Sequence, residues 1–265
     1  MKHLLGEWGE IKKQIRDKSI FLFLDFDGTI APIVDTPDKA VLPGEAKALL
    51  TSLIKCPRLK IAFISGRKLI DLKNKVGLKG AIYSGNHGLE IEGPKISFEP
   101  VLSSRYRATL GRIKKILENK ILLIPGVFIE DKGLSLSLHY RLANKDQASL
   151  IKTIFHETII VYLVKNQIKI KLGKKVLEVR PPVVWDKGKV VLWLLSRQKF
   201  VLNKNNILPI YIGDDITDED AFRALRKNGL TIYVGAPKKS SARYYVKSTV
   251  EVNKFLEGVL KICQN

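Results

Sequence analysis

A chain of 265 residues that is 45% hydrophobic, 27% charged and 8% aromatic folds as one large domain or as a core with a smaller insertion. That composition excludes disordered, collagen-like and disulfide-scaffold classes, and the two cysteines, Cys56 and Cys263, form no spaced framework, as suits a reducing compartment. The formal net charge of +20 points either to a polyanionic partner or to an enzyme that draws in an anionic small substrate; lysines spread along the whole chain, with no long basic block, favour solvated faces and make nucleic acid an unexpected partner.

Met1–Lys18 reads as an amphipathic lead-in helix. Glu7, Glu10, Lys12 and Lys13 break up any signal-peptide core. Ile20–Leu24 is an unbroken apolar strand ending on Asp25, the pattern of a strand buried on both faces. Pro43 then opens a helix through Leu53. Lys60–Ile64 is a second buried strand ending at Ser65-Gly66-Arg67, and Lys68–Val76 reads as a helix. Ala81–Ser84 is a third strand, ending at Gly85-Asn86-His87-Gly88. Leu208–Ile212 and Leu230–Val234 continue this rhythm near the C-terminus, which predicts an α/β core with a parallel sheet and right-handed crossovers.

Between these groups the order changes to helix-strand-strand, twice. Val101–Leu117 and Asp146–Val161 read as helices. Val127–Glu130 with Leu134–Tyr140, and Ile168–Leu172 with Lys175–Val179, read as hairpins. The pattern predicts a small inserted α+β cap over 101–180, with residues 1–100 and 181–265 forming a discontinuous core. The apolar runs Ile159–Val164 and Val190–Leu195 are far shorter than the ~18 residues of a membrane span, so a cytoplasmic protein without a membrane partner is expected.

Asp25-Phe26-Asp27-Gly28-Thr29 follows the first buried strand, and ligands of open α/β sheets bind beyond the carboxyl ends of strands. Two carboxylates one residue apart ask for a divalent ion, and oxygen donors suit Mg²⁺; Asp-Gly is also common in ordinary turns. Gly28 lets backbone N–H groups turn toward an anion. Gly213-Asp214-Asp215-Ile216-Thr217-Asp218-Glu219-Asp220 follows another buried strand. Thr217 or Asp218 can cap the helix there, whereas Asp214 and Asp215 precede it. Ser65 offers a hydroxyl and N–H groups to a phosphoryl oxygen, or caps the next helix. Lys187, within Trp185-Asp186-Lys187-Gly188, opens the helix after the cap; it reads as a phosphoryl-binding cation or as a solvated lysine.

Taken together, Asp25-x-Asp27-Gly28-Thr29, Ser65, Lys187 and Gly213-Asp214-Asp215 resemble the four motifs of the haloacid dehalogenase superfamily, in the right order. The resemblance implies a Rossmann-like core with helices on both faces of the sheet. It makes Asp25 the nucleophile and Asp27 the general acid and base. Asp25 and Asp214, with the Asp27 backbone carbonyl, would hold Mg²⁺, while Ser65 and Lys187 would bind the phosphoryl group. Ser84–Ile91, Glu130-Asp131-Lys132-Gly133, His139-Tyr140-Arg141 and Glu178-Val179-Arg180-Pro181 narrow the likeness to the trehalose-6-phosphate phosphatases. On that resemblance Gly28, Thr29, Gly66, Arg67, Asn86, His87, Gly88, Lys132, Arg141, Glu178 and Arg180 join substrate binding, with Asp215 and Asp218 supporting. Arg141 and Arg180 can equally pair with cap carboxylates, Lys132 can be a hairpin-tip charge, and His87 a turn histidine. The partner implied is a small sugar phosphate. Phosphatases of sucrose phosphate or mannosyl-phosphoglycerate, and a basic polyanion-binding protein, are the alternatives.

Overall fold

The computed structural model describes residues 1–202 and 206–264. In chain order the strands are β1 (Lys2–His3), β2 (Ser19–Leu24), β3 (Leu59–Ile64), β4 (Ile82–Gly85), β5 (Glu90–Gly93), β6 (Ile96–Phe98), β7 (Phe128–Asp131), β8 (Leu136–His139), β9 (Lys169–Gly173), β10 (Val176–Arg180), β11 (Ile207–Gly213), β12 (Leu230–Val234) and β13 (Tyr244–Val246). The α-helices are α1 (Trp8–Ile15), α2 (Gly44–Ile54), α3 (Leu69–Val76), α4 (Ser104–Ile121), α5 (Lys145–Val164), α6 (Lys187–Leu202), α7 (Glu219–Leu225) and α8 (Thr249–Gln264). They divide into two compact units, Met1–Phe98 with Trp185–Asn265, and Glu99–Val184.

The first unit is built on a nine-stranded sheet in the order β1-β13-β12-β11-β2-β3-β4-β5-β6. Neighbours run parallel from β1 to β4, and β5 and β6 add an antiparallel edge. Strand alternation explains why β2 is apolar from Ile20 to Leu24. Leu22 and Leu24 face a core shared with α1, α2 and α8, whereas Phe21 and Phe23 face Val190 and Leu194 of α6 and Phe222 of α7. The chain leaves β2 toward β3 on one side and later returns to β11 on the other. The carboxyl ends of β2 and β11 therefore flank a topological switch point.

The N-terminus departs from the expected continuous helix. Lys2 and His3 pair in parallel with Tyr244 and Tyr245 of β13, Leu4–Glu7 is a single 3₁₀ turn, and α1 begins only at Trp8. The helical signal came from Leu4, Ile11 and Ile15, all fully buried, and the edge of β13 recruits the residues before them. β5, β6 and β13 were also unforeseen, being three or four residues long.

In the second unit α4 and α5 cover one face of the antiparallel sheet β7-β8-β10-β9. Ile113, Leu117, Ile151 and Phe155 pack there against Leu136, Leu138, Leu177 and Val179. α4 starts three residues later than expected because the Ser103 side chain accepts the Tyr106 N–H at 3.2 Å. A reciprocal Asn144–Gln147 capping box starts α5. Among the described residues no helix is long and apolar enough to cross a membrane.

Candidate active site

Two parallel strands bring the first acidic groups together. The Asp25 N–H donates to the Ile212 carbonyl at 3.0 Å, which ties the end of β2 to the end of β11. Lys187, the first residue of α6, is buried and donates from Nζ to Asp25 Oδ1 and to Asp218 Oδ1, both at 2.7 Å. Asp218 is held on every side: Tyr211 donates its hydroxyl to Oδ1 at 2.7 Å, and the Asp215 N–H donates to Oδ2 at 2.9 Å. Carboxylate oxygens of Asp25, Asp214 and Asp218 lie within 4.8 Å of one another, all three residues being buried, so the group could hold a metal ion. The solvated reading of Lys187 is overturned by its burial. Asp215 occupies the N-cap position of a 3₁₀ turn, Ile216–Asp218, ahead of α7, so capping extends to a residue expected to lie outside it.

Burial pushes the Asp25 carboxyl well above its ordinary range; Lys187 opposes this, and the Asp218 and Asp214 charges add to it. Burial acts to lower Lys187, but Asp218 and Asp25 outweigh it and hold the ammonium protonated. Tyr211 is raised by burial and by Asp218, so its phenol stays a donor.

Glycine is required beside the acidic cluster and in the turn after β3. Gly28 has φ +81°, and a Cβ there would lie 2.4 Å from Asp214 Oδ2. A Cβ on Gly66 would lie 2.3 Å from Nε2 of His87, whose ring covers that turn. Thr29 donates to Asp25 Oδ2 at 3.4 Å, a long bond. Gly28→Ala is expected to displace the Asp214 carboxylate and lower turnover at least about tenfold, a residue at positive φ adding about 1–3 kcal/mol of strain. Steady-state rates and a denaturation curve check this; wild-type values for both reject it.

Some expected contacts take other forms. Arg67 was expected to bind substrate, yet its guanidinium is committed to Asp27, Asp71 and the Pro37 carbonyl. Asn86 donates its side-chain amide to the Glu90 carboxylate and its N–H to the Arg67 carbonyl, so it braces the turn. Gly88, at φ +107°, is a packing glycine, since a Cβ would overlap Val190, and its carbonyl accepts the Trp185 indole N–H at 2.6 Å. Ser65 does not cap α3, whose N-cap position is Lys68; its Oγ accepts the Arg67 N–H at 3.2 Å.

A second polar cluster lies in the other unit. Glu178, on β10, accepts from Ser135 Oγ at 3.1 Å and from Arg180 Nε at 2.6 Å, and its carboxylate is 3.5 Å from Lys132 Nζ. Glu178 and Lys132 are both buried. Across the sheet Glu130 meets His139 at 2.8 Å, and the His139 ring stacks on Phe128. Glu130, Ser137, Glu178 and Lys171 form one cross-strand row on the face opposite the helices. Arg141 donates to the Lys174 carbonyl at 3.4 Å. Tyr211 and Phe128 carry no role in the sequence pattern, and His139 stands there only within a family motif; a hydroxyl inside the apolar run of β11 is the one signal for Tyr211.

Sheet order, switch point and helical layers are those of the haloacid dehalogenase fold. The C-terminal domain of a C. albicans trehalose-6-phosphate phosphatase superposes with a TM-score of 0.81 at 24% identity, covering 97% of this chain and 96% of that one. Trehalose-phosphate phosphatase B of Arabidopsis thaliana is 33% identical over 97% of this chain and 70% of its own length. Probable trehalose-phosphate phosphatase 4 of Oryza sativa subsp. japonica is 36% identical over 95% and 69%. The trehalose-phosphatase family matches residues 23–251, and the chain belongs to that family.

Proposed function

We propose that the protein hydrolyses trehalose 6-phosphate to trehalose and inorganic phosphate through an aspartyl-phosphate. The observation that supports this best is the buried Asp25–Lys187–Asp218 constellation beside Asp214, at the switch point of a chain in the trehalose-phosphatase family. Asp25 attacks phosphorus, and the bond from phosphorus to the sugar oxygen breaks while Asp27 gives that oxygen a proton. Asp27 then takes a proton from water, which attacks the acyl-phosphate, releases phosphate and restores Asp25. Lys187, protonated and desolvated, and Ser65 bind the transferring phosphoryl oxygens.

The acidic donors suit a hard divalent cation such as Mg²⁺. Asp218 spends both oxygens on Lys187, Tyr211 and the Asp215 N–H. By the family resemblance Asp25 and Asp214, with the Asp27 backbone carbonyl, would hold the ion, and the missing side chain of Gly28 gives Asp214 its place. When bound, the ion offsets the phosphate and carboxylate charge. Glu130, Lys132, Glu178 and Arg180 carry the donors and acceptors that sugar hydroxyls need, and a site built on such groups rejects analogues strongly. A small sugar phosphate is the only partner this reading requires.

Phosphate release by the full chain from trehalose 6-phosphate, sucrose phosphate and mannosyl-phosphoglycerate, with Mg²⁺ or with EDTA, tests the proposal. Trehalose 6-phosphate is expected to lead in kcat/KM by about 100-fold or more, with activity lost in EDTA. Preference for another ester, or turnover indifferent to EDTA, overturns it.

A further inference from the structure

Arg67 carries a full charge at 6% exposure, and phosphoryl transfer as described above gives it no task. Its Nε and Nη2 donate to Oδ2 and Oδ1 of Asp27, each at 2.7 Å, a two-bond fork that fixes the plane of the carboxylate. The rest of the guanidinium is anchored behind that fork. Nη1 donates to Asp71 at 2.7 Å, Nη2 also donates to the Pro37 carbonyl at 2.9 Å, and the group lies 5.3 Å over the Phe26 ring. By contrast, the Asp27 side chain is 40% exposed. A short carboxylate with that much exposure otherwise samples several χ1 wells, only some of which aim an oxygen at a leaving group.

We propose that Arg67 is a positioning residue for Asp27: its anchored fork sets the orientation of the carboxylate that handles the proton, and Arg67 itself does not bind substrate. The inference rests on Asp27 being the acid and base of a phosphatase. It accounts for the arginine directly after Ser65-Gly66. Those residues turn the chain at the end of β3, and Asp71 in the first turn of α3 stands four residues on, where it steadies the guanidinium. A lysine would keep the charge and lose the fork.

Arg67→Met, Arg67→Lys and Asp71→Asn, each assayed on trehalose 6-phosphate and on p-nitrophenyl phosphate, test the inference. The sugar ester has a poor leaving group that needs a proton, whereas the aryl ester leaves readily without one. Arg67→Met is expected to lower kcat/KM on the sugar ester about 30-fold or more, with kcat/KM on the aryl ester within about threefold of wild type, because kcat/KM reports transfer to Asp25 and not the later hydrolysis that both esters share. Arg67→Lys should lose at least about tenfold in the same pattern. Asp71→Asn, which leaves the fork itself in place, should lose about tenfold in kcat/KM on the sugar ester with the aryl ester within about threefold, and it decides the matter if the Arg67 variants fail to fold. A rise in KM without a fall in kcat assigns Arg67 to substrate binding and overturns the inference. Equal losses of kcat/KM on both esters assign it a merely structural role and overturn it as well. Failure of the underlying reading is seen separately, as a wild-type protein inactive on both esters or an Asp27→Asn variant that does not discriminate between them.

Discussion

Asp25→Asn is expected to lower hydrolysis of trehalose 6-phosphate by at least about 10⁴-fold while the protein stays folded. The amide cannot form the acyl-phosphate, and the remaining groups act only as a unit around that nucleophile. The fold persists because Asp25 is placed by its backbone, through the bond from its N–H to Ile212. Burial also disfavours the Asp25 charge, so a neutral side chain of the same shape removes a desolvation penalty. Lys187 keeps Asp218 as its partner. Phosphate release and a thermal melt check the result; turnover within tenfold of wild type rejects Asp25 as the nucleophile.

Lys187→Met is expected to damage both stability and activity. It strands two buried carboxylates, Asp25 and Asp218, without the ammonium that joins them. Removing one partner from a buried ion pair costs about 3–5 kcal/mol, because the remaining charge cannot return to water. Turnover should fall at least about 10³-fold, since the phosphoryl group loses its fixed cation. Adding Asp218→Asn should restore much of the stability, because the second charge is then gone, but none of the activity. Denaturant curves of the single and double variants read the first effect. A single variant within about 1 kcal/mol of wild type, or one retaining a tenth of its activity, rejects the assignment.

The chemistry of this site was legible where one short stretch held it. Ile20–Leu24 and Leu208–Ile212 announce doubly buried strands by having no polar alternation, and each runs into acids at its end. What the sequence hid is pairing across distance. Arg67 stands 40 residues from Asp27, and no local pattern says that its fork closes on that carboxylate rather than on a ligand. Tyr211 reads as one more apolar position of β11, yet its hydroxyl reaches Asp218 seven residues on. Asn86 looks like a sugar-binding amide until Glu90 is seen to accept its donor. The short strands were hidden for another reason: β1 has two residues and borrows its conformation from β13, so its own sequence holds almost no preference.

Because Asp25 and Asp214 directly follow hydrogen-bonded neighbours, β2 and β11, the strand ends that present them are held at the sheet's own spacing, about 4.8 Å from strand to strand. Loops elsewhere can lengthen, shorten or exchange side chains without altering that interval. Divergence among relatives should therefore accumulate in what the protein accepts, while the place where charge is neutralised stays as constant as a crystal repeat.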